Sequence, residues 1–71
     1  MNGVEVERLA EIEAPYRRKV LLQEATYESG MKLLRVTLRE GHRITMVDVD
    51  AEAADAIAKV LAEWASRQPR A

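Results

Sequence analysis

From about Lys19 to Val49 apolar and polar residues alternate, and two glycine-bearing turns interrupt the alternation. A period of two is the mark of strands with one buried face. The first interruption is Glu28-Ser29-Gly30, the second Arg39-Glu40-Gly41. In a three-residue hairpin loop only the third position needs a positive φ, and glycine stands there in both. Read this way, Tyr27 opposes Met31, Leu22 opposes Val36 and Leu21 opposes Thr37. The second turn sets Leu38 against His42, Val36 against Ile44 and Leu34 against Met46. One face then carries Val20, Leu22, Leu34, Val36, Leu38, Ile44 and Met46. The other carries Leu21, Gln23, Ala25, Tyr27, Met31, Leu33, Arg35, Thr37, Arg43, Thr45, Val47 and Val49. The pattern predicts strands over about 19–27, 31–38 and 42–49, joined as an antiparallel meander.

After Asp50 the period changes to that of a helix. Ala53, Ile57, Val60, Leu61 and Trp64 form one stripe, and Glu52, Asp55, Lys59, Glu63 and Ser66 line the other side. Asp50 suits the N-cap, and Pro69 prevents continuation beyond about Arg67. The expected fold is α+β: a three-stranded antiparallel meander with a C-terminal helix over 51–67 packed on one face, in two layers. Leu34, Val36, Leu61 and Trp64 are expected to form one buried cluster. Residues 68–71 should fray.

Residues 1–15 read less simply. Val6, Leu9 and Ile12 recur at every third position with Ala10 beside them, which suits a short helix or turn. An extended segment, forming an extra strand, is the alternative. Pro15 ends whatever precedes it.

With 71 residues the chain makes a single domain. A domain of this size buries only about 60% of its unfolded surface, and its core rarely supplies more than roughly 3–5 kcal/mol. It holds no Cys, so neither a disulfide nor a thiolate metal site is open to it. The remaining staple is oligomerisation or a partner. The lack of Cys suits a reducing cytoplasm. No stretch approaches the roughly 20 apolar residues of a membrane span, and the acidic start MNGVEVERLAEIE does not read as a secretory signal. A net charge of −1 gives no general attraction to polyanions or to acidic membrane surfaces.

No reactive constellation stands out. The glycines are scattered, Ser29 and Ser66 have no base beside them, and His42, the single His, falls at a hairpin tip. Asp48, Asp50, Glu52 and Asp55 lack the spacing of a calcium loop, and capping explains Asp50 without a metal. The chain therefore reads as non-catalytic, with no cofactor and no metal.

The second sheet face holds the functional expectation. Leu21, Tyr27, Leu33, Val47 and Val49 form an apolar area that a single helix on the opposite face would leave open. A self-associating interaction module follows, a homodimer or a pair with another protein, joined through this face or through an edge strand. The rival within one chain is a fold-back of Val4, Val6, Leu9 and Ile12 over the same residues. The alternative function is single-stranded nucleic-acid binding. Tyr16 and Tyr27 would stack bases, and Arg17, Arg18, Lys19, Arg35, Arg39 and Arg43 would hold phosphates. A sheet followed by a C-terminal helix resembles, in topology alone, some single-strand-binding transcription coactivators. The plainer reading of Tyr16-Arg17-Arg18-Lys19 is a solvated basic run that offsets the acidic N-terminus.

Overall fold

The computed structural model describes residues 3–70; residues 1, 2 and 71, at the ends of the N-terminal segment and of the expected frayed tail, lie outside it. Four strands are followed by one helix: β1 (Glu5–Ala14), β2 (Arg18–Thr26), β3 (Lys32–Glu40), β4 (Arg43–Val49) and α1 (Ala51–Ser66). The strands form one antiparallel sheet in the order β1-β2-β3-β4. The helix lies against the β3 and β4 side of one face, called inner here.

The β2–β3 hairpin has the expected register. Leu22 opposes Val36 and Leu21 opposes Thr37. The loop closes through Tyr27 N–H to Met31 O at 2.8 Å and Gly30 N–H to Tyr27 O at 2.8 Å, with Gly30 at φ +93°.

The next hairpin corrects the expectation. Glu40 pairs with Arg43, so the loop is Gly41-His42, and Leu38, Val36 and Leu34 oppose Thr45, Val47 and Val49. Gly41 has φ +62° and His42 has no positive φ, so glycine serves the first position of a two-residue loop rather than the third of a longer one. The shift against the expected pairing is three residues. An odd shift turns over every side chain of the strand. Ile44 and Met46 therefore stand on the outer face with Thr37 and Arg35. Thr45, Val47 and Val49 stand on the inner face.

The second correction concerns the N-terminal segment. It is a strand, not a short helix or turn, and it makes the sheet four-stranded rather than three-stranded. Val6 pairs with Ala25 and Arg8 with Gln23; the register then skips Leu9, and Ala10 pairs with Leu22 and Ile12 with Val20. This β-bulge changes the phase of the strand. Val6 and Arg8 belong to the outer face, Ala10 and Ile12 to the inner. The segment extends the sheet at its edge instead of folding back over a face.

Asp50 caps α1 as expected, its Oδ1 accepting from Ala53 N–H at 2.8 Å. The helix closes at Arg67, whose N–H donates to Trp64 O at 3.1 Å. Its apolar stripe is not sealed against the sheet. Ala25 is the one fully buried residue among those described, and Trp64 and Leu61 are 58% and 63% exposed. The expected buried cluster of Leu34, Val36, Leu61 and Trp64 is therefore not closed within one chain. The helix begins at the end of β4 and reaches only β3 and β4, so its later turns stand off the sheet.

Candidate functional site

Between α1 and the inner sheet face lies an open groove of about 370 Å³. The sheet supplies Ile12, Val20, Leu22, Leu34, Val36 and Val49, and the helix supplies Ala54, Ile57, Ala58 and Leu61. Alternation places the strand residues here, and helical spacing brings Ala54, Ile57, Ala58 and Leu61 onto one side. The walls hold no ionisable group and no side-chain hydrogen-bonding atom. Such a groove offers apolar contact and nothing that could move a proton or hold a metal. Val60 and Trp64 continue the exposed stripe of the helix beyond it.

Chain-wide dimensions match this local view. The exposed area is 6191 Å², against about 4,450 Å² for a folded chain of 8.0 kDa. The radius of gyration is 14.1 Å, against about 11 Å for a compact chain of this length. The body is a slab of 46 × 30 × 15 Å, thin because the described residues form one sheet and an incompletely seated helix.

The outer face is built differently. Arg35 and Asp48 are direct cross-strand partners, and Arg35 Nε and Nη2 donate to Asp48 Oδ1 and Oδ2 at 2.9 and 3.1 Å. Tyr27 Oη donates to the same carboxylate at 3.3 Å. The hydrogen bond from Arg35, helped by its charge and by Tyr27, holds the Asp48 carboxyl below the usual carboxylate range, against a smaller opposing effect of desolvation. The Arg35 guanidinium is correspondingly raised, first by its hydrogen bond to Asp48. A shallow hollow of about 130 Å³ nearby is lined by Arg8, Glu11, Lys19, Leu21, Thr37 and Arg39, cations and a carboxylate together.

The residues expected to form one apolar interface are divided. Leu21, Tyr27 and Leu33 remain on the outer face and are half-buried. Val47 and Val49 are on the inner face, because of the β4 register, and Val49 lines the groove. The expected phosphate-holding set is also dispersed. Tyr16 and Arg17 sit in the β1–β2 turn, both with positive φ, and the Arg18 guanidinium lies 5.6 Å from the Tyr16 ring centroid. Arg18 pairs with Glu40 at 3.0 Å, Lys19 with Glu11 at 3.4 Å and Arg35 with Asp48 at 2.9 Å. Arg39 is outer and Arg43 inner. Arg17, Arg39 and Arg43 are left without an ion pair among the described residues.

The inner groove was signalled in the sequence by the apolar face and the helix stripe. Its openness was not, because pattern alone gives no distance between helix and sheet. Among the described residues no group of three or more His, Cys, Asp or Glu gathers into a metal-holding cluster. No helix among them is long and apolar enough to cross a membrane.

The chain belongs to a family of unknown function, DUF6967, whose family model matches residues 3–67, the whole of the sheet and the helix. No curated protein and no solved structure matches the chain.

Proposed function

We propose that the chain is a non-catalytic, self-associating protein-interaction module, a two-fold homodimer of the reducing cytoplasm. The observation that carries this reading is the unsealed inner groove, with Ile57, Leu61 and Trp64 exposed beside it. The exposed area exceeds that of a compact chain by about 1,700 Å², the difference between 6191 Å² and the size-scaled figure. A stable interface of standard size takes about 800 Å² from each partner. The surplus is therefore ample for a second copy. The commonest closed arrangement of identical chains is a two-fold dimer with a self-complementary patch. The groove and the exposed helix stripe put apolar area for this contact on the inner side, and Ile44 and Met46 add to it on the outer side of the edge strand β4.

Charge favours this reading over single-strand binding. Arg18, Lys19 and Arg35 are each held by a carboxylate of the chain, and the cations divide between both faces. Light scattering at tens of micromolar is the test. The expected mass is about 16 kDa, twice 8.0 kDa. A mass of one chain at that concentration refutes the proposal.

A further inference from the structure

The sheet has two free edges, β1 and β4, and they are made differently. A free edge exposes unpaired N–H and C=O groups, and proteins that remain single blunt such edges with charges and bulges. β1 has both devices. Its register breaks at Leu9, and five of its ten residues are charged: Glu5, Glu7, Arg8, Glu11 and Glu13. β4 has neither. Its pairing with β3 is regular from Arg43 to Val49, and Ile44 to Val47 carry no charge. The one carboxylate of β4, Asp48, is engaged by Arg35.

β4 is also apolar on both faces. Ile44 and Met46 point outward and Val47 inward, and each is more than half exposed. A strand at the margin of a sheet needs one apolar face at most; two apolar faces are the pattern of an interior strand.

We infer that β4 is the seam of the dimer: two copies join β4 to β4, antiparallel across a two-fold axis, into one eight-stranded sheet with both helices on the same face. The inference rests on the self-association proposed above and adds its geometry. Antiparallel pairing of a strand with its own copy is what a two-fold axis normal to the sheet produces. It satisfies the outward backbone groups of β4 and leaves the two charged β1 strands as the outer margins.

The position of the helix agrees. α1 starts one residue after β4 and its closest strands are β3 and β4, so its first turns lie beside β4, while Ile57 and Leu61 face a groove that also reaches β1 and β2. With β4 as the seam the first turns of the two helices are neighbours over it. With β1 as the seam these first turns would lie at opposite ends of the slab.

The chain contains no Cys, so single-Cys variants report contacts without interference. Directly opposed residues of antiparallel strands have Cβ atoms about 4.5–5.5 Å apart, close to the reach of a disulfide. The variants Ile44→Cys, Thr45→Cys, Met46→Cys and Val47→Cys scan the seam, with Glu7→Cys on β1 as control. Circular dichroism confirms the fold of each, and mild oxidation is followed by non-reducing electrophoresis. At least one β4 variant should give a covalent dimer as its main product, and Glu7→Cys should stay at one chain. Hydrogen exchange on the unmodified protein adds an independent reading. The outward β4 amides should exchange at least tenfold more slowly than the outward β1 amides. Uncross-linked β4 variants and equally fast edges, in a protein of two-chain mass, overturn the seam and leave self-association standing. A cross-link at Glu7→Cys does the same. A one-chain mass overturns both.

Discussion

Asp48 accepts from both Arg35 and Tyr27, and its ionisation ties β3, β4 and the end of β2 together. The folded chain holds its pKa below the usual value, so the carboxylate stabilises the fold at neutral pH. That contribution is complete above the unfolded value of about 3.9. It fades as pH falls and is lost once pH passes below the folded value. Asp48→Asn should therefore lower the thermal midpoint at pH 7, and the gap to the unaltered protein should narrow on acidification towards pH 3. Thermal melts over that range check it; a gap that does not change with pH would assign the effect to packing. The β1–β2 turn offers a change of opposite sign. Arg17 has φ +61° without being glycine. The left-handed region costs an L-residue roughly 1–2 kcal/mol, partly offset by the greater freedom of an unfolded glycine. Arg17→Gly should stabilise by about 0.5–1 kcal/mol, read from the urea midpoint.

At the scale of elements, the hairpin of β2 and β3 was legible because Gly30 suits only one loop and the alternation agrees with it. Two other elements were not, each for a physical reason. Val6, Leu9 and Ile12 imitate a helical spacing of three because the bulge at Leu9 adds a residue between two runs of period two. The register of β4 was hidden because Gly41 serves a two-residue loop as well as a three-residue one, and both faces of the strand are apolar. The helix stripe was legible from Ala53 to Trp64, but its partner was misassigned. Those side chains face a groove that one sheet does not fill. Truncating the stripe should therefore act through association. Trp64→Ala should raise the dimer dissociation constant about thirtyfold or more, the effect of losing about 2 kcal/mol at a central aromatic contact. Sedimentation equilibrium measures it. The emission of Trp64, the only Trp, should move to longer wavelength on dilution of the unaltered protein.

At the scale of the molecule, the two faces divide the possible partners. The outer face presents cations, but Arg35 and Lys19 are neutralised by Asp48 and Glu11, and the net charge is −1. Single-stranded oligonucleotides should bind no more tightly than tens of micromolar at physiological salt, within the weak non-specific range of roughly 10⁻⁴–10⁻⁶ M. A submicromolar affinity that falls steeply with salt and is abolished by Arg35→Glu with Arg39→Glu, both on the outer face, would reverse the ranking of partners. The inner face makes a different demand. With Ala25 the one fully buried residue among those described, there is little core to stabilise a single chain. Folding and association should then be one transition, two unfolded chains in equilibrium with one dimer. Mass action makes its midpoint depend on concentration, whereas that of a monomer does not. Each tenfold rise in concentration adds about 1.4 kcal/mol to the dimer. An unfolding entropy of about 2.1 cal/mol/K per residue, taken over two chains of 71 residues, converts this into a rise of about 4–5 °C per decade. Calorimetry from about 5 to about 500 μM should show two such increments. A midpoint constant over that range would mean that the single chain is stable with its groove open, and would remove the energetic reason for the second copy.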